Sequence, residues 1–142
     1  MRPTHPPPRN ILIVGGGQGI GFETTKYLLS LTSCSVVVFG LHISEECKAL
    51  QAANPHKLWL CLGDVTKAGD CQKALEVSVE KMGGIDTMVY CAGIMDPIQL
   101  ISKVDMESVR KSYEVNVFGA MKMVRGIKIR GNTKQPLKVL TM

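Results

Sequence analysis

The clearest chemical signal lies near the start of the chain, in Val14-Gly15-Gly16-Gly17-Gln18-Gly19-Ile20-Gly21. It follows Asn10–Val14, an apolar run that reads as a buried strand. It runs into a helical stripe over Gly19 to Leu31, with apolar residues at Ile20, Phe22, Tyr27, Leu28 and Leu31. A glycine turn between strand and helix lets backbone amides approach an anion with no Cβ in the way, and the helix N-terminus favours negative charge. The chemistry is that of holding a pyrophosphate. Spacing narrows the choice of ligand. A Walker loop ends in Gly-Lys, whereas Phe22 follows Gly21. Gly-x-Gly-x-x-Gly is met at Gly15 and Gly17 but fails at Ile20, while Gly-x-x-x-Gly-x-Gly fits at Gly15, Gly19 and Gly21.

Other chemistries find little support. The five cysteines (Cys34, Cys47, Cys61, Cys71, Cys91) are odd in number and never spaced as Cys-x-x-Cys, which argues against a disulfide framework and a zinc site. His5, His42 and His56 lack His-x-x-x-His spacing, so no metal is expected. The net charge is +5, and past Glu114 every charged residue is basic: Lys122, Arg125, Lys128, Arg130, Lys134 and Lys138. No aromatic residues interleave with them, so they read as a solvated helix face and a basic loop rather than a nucleic-acid surface. The longest aliphatic runs, Ile11–Val14 and Val36–Phe39, are far short of a membrane span. Unpaired cysteines and no visible N-terminal signal point to a reducing compartment, most simply the cytoplasm.

The elements that must position the glycine turn follow from periodicity. The 142 residues are 45% apolar and 20% charged, enough for one packed domain. Residues 1–9, with four prolines, read as a loose tail, and 10–142 as the domain. Further strands are expected at Ser35–Phe39, Leu58–Leu62, Ile85–Tyr90 and Leu137–Thr141. Helices are expected at Ser44–Ala53, with Ser44 as N-cap, at Thr66–Met82, and from Asp105 through Val109, Tyr113, Val117 and Val124. Short apolar strands alternating with amphipathic helices predict an α/β fold. Its expected form is a doubly wound parallel sheet of the Rossmann type, cut short after the fifth strand.

Taken with their order, these motifs resemble the short-chain dehydrogenase/reductase family. Gly15, Gly19, Ile20 and Gly21 match its opening Thr-Gly-x-x-x-Gly-Ile-Gly, with Val14 in place of threonine. Gly63-Asp64-Val65-Thr66 is similar to the segment whose aspartate and next residue contact adenine. Tyr90-Cys91-Ala92-Gly93 resembles Asn-Asn-Ala-Gly with both asparagines lost, and Val115-Asn116-Val117-Phe118-Gly119 resembles the segment bearing the family's structural and catalytic asparagine. Within the family, the stretch from Asp86 to Asn116 is most similar to fungal sepiapterin-reductase-like and benzil-reductase-like members.

The resemblance implies an oxidoreductase that reduces a small carbonyl compound with NAD(P)(H). Gly15, Gly17, Gln18, Gly19, Ile20, Gly21, Asp64, Val65, Cys91, Ala92 and Gly93 would hold the cofactor, and Asn116 would belong to the catalytic set. Departures qualify this. The ribose carboxylate expected about 20 residues past the last glycine falls near Gly40-Leu41-His42-Ile43, which has no acid. With no carboxylate to repel a 2′-phosphate, NADP is favoured over NAD. Cys91 offers a poorer hydrogen-bonding group than the asparagine it replaces. The family's serine and Tyr-x-x-x-Lys are absent, since Tyr27 and Tyr113 are followed four residues on by Leu31 and Val117. A chain with the cofactor half only, inactive by itself, is therefore expected. The alternative is a non-catalytic module that binds a dinucleotide or a protein partner. A methyltransferase fits less well, because it leaves Asp64-Val65 and Ala92-Gly93 unexplained. The substrate and the oligomeric state are not legible.

Overall fold

The computed structural model describes residues 9–31, 33–127 and 138–141. Residues 1–8 of the predicted tail, Leu137 of the predicted last strand, Met142, and Lys128, Arg130 and Lys134 of the basic loop lie outside the described residues. The elements run β1 (Arg9–Val14), α1 (Gly19–Ser30), β2 (Cys34–Gly40), α2 (Glu45–Ala53), β3 (Leu58–Leu62), α3 (Ala68–Met82) and β4 (Thr87–Tyr90). A short 3₁₀ turn at Ile101–Lys103 then leads to α4 (Met106–Tyr113), a π-helical turn (Glu114–Phe118), α5 (Gly119–Gly126) and β5 (Lys138–Thr141).

The strands form one parallel sheet in the order β3-β2-β1-β4-β5. Because side chains alternate across a strand, β1 to β4 each feed two cores, while β5 is exposed. Leu12, Val14, Val37, Phe39, Met88 and Tyr90 pack with Cys71, Ala74 and Leu75 of α3 and Met123 of α5. Ile11, Ile13, Val36, Val38 and Val89 pack on the other face with Phe22 and Leu29 of α1 and Cys47 of α2. Burial on both faces is why these strands read as unbroken apolar runs. This is the expected doubly wound α/β fold. No helix among the described residues is long and apolar enough to cross a membrane.

Boundaries differ from expectation where side chains intervene. The third helix starts at Ala68, not Thr66, because the amide and hydroxyl of Thr66 both donate to Asp64 Oδ1 (2.9 and 2.8 Å) and hold a turn there. The fourth strand starts at Thr87 after a left-handed Gly83 closes α3. The long helix expected from Asp105 runs unbroken from Met106 to Gly126, with one π turn inside it. Asp105 caps α4 as expected, accepting from the amides of Glu107 (3.2 Å) and Ser108 (3.0 Å), and the π turn carries α4 on into α5.

Ser44 is also a true N-cap, its hydroxyl accepting from the Cys47 amide at 3.1 Å. Ser44→Ala is expected to cost about 1 kcal/mol in urea unfolding, and Ser44→Asp to retain that stability. Equal midpoints for Ser44→Ala and the parent chain would show that the cap contributes nothing in solution.

Candidate functional site

Strand order places the chemistry. β1 is flanked by β2, reached through α1, and by β4 on its other side, so the crossover direction reverses between β1 and β4. Loops leaving the carboxyl ends of strands at such a point enclose a crevice. Here they are the glycine turn after β1, residues 91–94 after β4, His42 after β2 and Asp64 after β3. Four segments far apart in sequence meet at one edge of the sheet.

The glycine turn fits the crevice for steric reasons. Gly15 has φ +82°, and its amide donates to the Phe39 carbonyl at 2.6 Å. A Cβ on Gly15 would lie 2.5 Å from the Ala92 nitrogen, so only glycine permits β1 and the post-β4 segment to close together. A Cβ on Gly17 would strike the His42 carbonyl oxygen, and one on Gly21 the Gly15 carbonyl oxygen. Gly19 is different. It adopts φ +56° with nothing within 4 Å of a Cβ, facing open space beside exposed Gln18 and Ile20.

The first turn of α1 is electrostatically open. Gln18 occupies the N-cap position with no side-chain cap bond, and no acidic residue sits in the first turn. The amides there have no side-chain acceptor and meet no negative charge, which is the condition for seating an anion. By contrast, α2 has Ser44 with Glu45 and Glu46, and α4 has Asp105 with Glu107.

On the β3 side, Asp64 uses Oδ1 for Thr66, and its own amide donates to Asp70 Oδ2 at 2.9 Å. Burial raises its pKa, but the Thr66 hydrogen bonds, aided by Lys67 and Lys122, outweigh that and hold the carboxyl below its ordinary value. A depressed folded pKa means that Asp64 stabilises the fold above the unfolded value. That stability is lost as pH falls through the folded one. Thermal melts between about pH 2.5 and 5 are therefore expected to fall more steeply for the parent chain than for Asp64→Asn. Parallel curves would show that the charge contributes nothing.

Val65 is only 6% exposed and packs in the core, so its side chain does not reach the crevice. On the β4 side the Cys91 amide donates to Val14 O at 2.7 Å, and burial pushes its thiol pKa up. The thiol is a weakly activated group there. Asn116, inside the π turn, reaches back to Ile94: Oδ1 accepts from the Ile94 amide and Nδ2 donates to the Ile94 carbonyl, both at 2.8 Å. Of the residues singled out by sequence, Gly15, Gly17, Gln18, Gly19, Ile20, Gly21, Asp64, Cys91, Ala92, Gly93 and Asn116 lie on the loops that bound the crevice or brace them.

Sequence reasoning missed Lys122, expected on a solvated helix face. Its Nζ instead donates to the Thr66 carbonyl (3.1 Å) and pairs with Glu114 Oε2 (3.0 Å), tying α5 to the Asp64 loop. An eight-residue separation is not a standard helical pairing, so the sequence carried no signal for it. Among the described residues no group of three His, Cys, Asp or Glu side chains could hold a metal ion.

Comparison with known proteins agrees with this geometry. The model for short chain dehydrogenases matches residues 9–128. An uncharacterised oxidoreductase of Schizosaccharomyces pombe is 29% identical over 115 residues, covering 81% of this chain and 45% of its own length. One from Saccharomyces cerevisiae is 30% identical, with 80% and 45% covered. The crystal structure of the KRED1-Pglu enzyme superposes with a TM-score of 0.76 at 30% identity, covering 83% of this chain and 50% of that one. The chain thus spans about half the length of the relatives it matches. On its motifs, its sheet order and these likenesses, the chain belongs to the short-chain dehydrogenase family.

Proposed function

We propose that the crevice binds a nicotinamide dinucleotide, and that the chain is the cofactor-holding part of an oxidoreductase that reduces a small carbonyl compound. One observation carries this reading: Gly19 faces open space at the uncapped start of α1, while Gly15 lies against Ala92 at the switch point of the sheet. The amides around Gly17, Gln18, Gly19 and Ile20 would hold the pyrophosphate, with Gly21 packing α1 against the turn. Asp64 and the Val65 backbone would border the adenine, and Cys91, Ala92 and Gly93 the nicotinamide. When bound, the dinucleotide supplies the hydride. His42, with no carboxylate at the end of β2, supports NADP over NAD. Five free thiols, four of them buried, suit a reducing cytoplasm.

Reduction of a carbonyl also needs a proton donor, worth roughly 10²–10⁴ in rate. Tyr27 and Tyr113 are exposed and lack a lysine four residues on, and the Tyr90 hydroxyl is committed to the Val115 carbonyl. Asn116 braces Ile94 and has no such tyrosine to serve within these residues. We therefore infer that these 142 residues bind cofactor without turning over substrate. The second reading is a non-catalytic module for a dinucleotide or a protein partner. Calorimetric titration of the monodisperse chain with NADPH and then NADH tests both. Saturable binding, tighter for NADPH, is expected, and no heat from a folded sample would overturn dinucleotide binding.

A further inference from the structure

Tyr90 ends β4 with its side chain in the core, 3% exposed, and its hydroxyl donates to the main-chain carbonyl of Val115 in the π turn. Two features of the surroundings fit that bond. Gly119, one helical turn further on, is the only residue type that leaves room, because a Cβ there would strike the Tyr90 hydroxyl and lie 3.0 Å from Val65 Cγ2. Burial, with a smaller contribution from Cys71, raises the phenol pKa, so it stays a protonated donor at neutral pH. The residue after Val115 is Asn116, whose amide clamps both backbone groups of Ile94, and Ser112 also donates to the Ile94 carbonyl at 3.4 Å. A closed circuit results. It runs from Tyr90 through its hydroxyl to Val115, along the chain to Asn116, across to Ile94, and back through Gly93, Ala92 and Cys91 to Tyr90.

We infer that Tyr90 is a positioning residue. Its bond to Val115 fixes the π turn so that Asn116 holds Ile94, and Ile94 in turn holds Ala92-Gly93 against Gly15. This rests on the dinucleotide reading only for its effect on ligand; the effect on Ile94 is independent of it.

Tyr90→Phe removes the hydroxyl and keeps the ring. NADPH binding to the full chain is expected to weaken about tenfold, while 2′-phospho-ADP-ribose, which lacks the nicotinamide, binds unchanged. In the same variant, hydrogen exchange of the Ile94 amide is expected to accelerate relative to the Leu12 amide in β1. A merely structural loss would accelerate both together. Tyr90→Phe combined with Asn116→Ala should be no faster at Ile94 than Asn116→Ala alone, because both act on one clamp. If the parent chain binds no NADPH, the dinucleotide reading fails and Ile94 exchange alone decides the role of Tyr90. Unchanged exchange at Ile94, equal acceleration at Leu12, or additivity in the double variant overturns it. Should Tyr90→Phe not fold, 3-fluorotyrosine at position 90 keeps the phenol as a stronger donor. Ile94 exchange should then slow, and no change would overturn the role.

Discussion

Gly19→Asp is expected to weaken NADPH binding by about 100-fold or more while leaving the fold intact. The position is unusual in separating the two effects. A Cβ at Gly19 meets nothing within 4 Å, so no packing is disturbed. Its φ of +56° is left-handed, a region that aspartate enters more readily than most residues, at a cost of about 1–2 kcal/mol. The introduced carboxylate would instead sit at the start of α1, where amides with no capping side chain are to receive the pyrophosphate. Two unit charges 4 Å apart at a protein surface repel by about 4 kcal/mol, before salt screening reduces that figure. Gly19→Asn is the matched control, with the same shape and no charge, and is expected to bind within about tenfold of the parent. Calorimetric titration and urea unfolding of both variants read the two quantities separately. Equal affinities for the aspartate and asparagine variants would mean that no anion is held at this turn.

Gly15→Ala is expected to do the reverse, costing more than about 3 kcal/mol of stability whether or not ligand is present. Here the added Cβ would stand 2.5 Å from the Ala92 nitrogen and 2.8 Å from both Ala92 Cα and the Cys91 carbonyl carbon, all main-chain atoms. No rotamer change can relieve that overlap. Relief requires moving β1 and β4 apart, and those strands are paired from Ile11–Thr87 to Val14–Tyr90. The left-handed φ of +82° adds its own penalty of about 1 kcal/mol or more. The sum is a large part of the 5–15 kcal/mol that typically holds a domain together. Urea unfolding should show a much lower midpoint, or no cooperative transition at all. A loss below about 1 kcal/mol would show that the post-β4 segment does not abut the turn in solution.

The two glycines share a motif and were not distinguishable by spacing. Glycine tells a reader of the sequence that a side chain is excluded, or that φ is positive, but not which neighbour does the excluding. At Gly15 the neighbour is Ala92, 77 positions along the chain, and at Gly19 there is none. The same contrast holds for Asp64. Its place after β3 was legible from the apolar run that precedes it. Its depressed pKa depends on Thr66, which is local, and on Lys122, which is not.

The sequence by itself determined what nearest neighbours and periodicity control. Apolar runs such as Val36–Phe39 are strands because they are buried on both faces, and Ser44 and Asp105 start helices because their oxygens reach amides two or three residues on. A parallel, doubly wound sheet followed from the alternation of strands and helices, together with the handedness of their connections, while the order β3-β2-β1-β4-β5 is a product of the tertiary structure. Tertiary structure alone decided the π turn between α4 and α5, the role of Lys122 and the burial of Val65. Nothing in the periodicity of 105–126 marks a π turn. The π turn is where the Tyr90 hydroxyl takes the Val115 carbonyl and Gly119 comes up against that hydroxyl and Val65. Lys122 left the solvated face because that turn placed Glu114 and the Thr66 carbonyl within its reach. The Tyr90–Val115 and Lys122–Thr66 contacts join residues 25 and 56 positions apart, and only the packed sheet brings them within hydrogen-bonding distance.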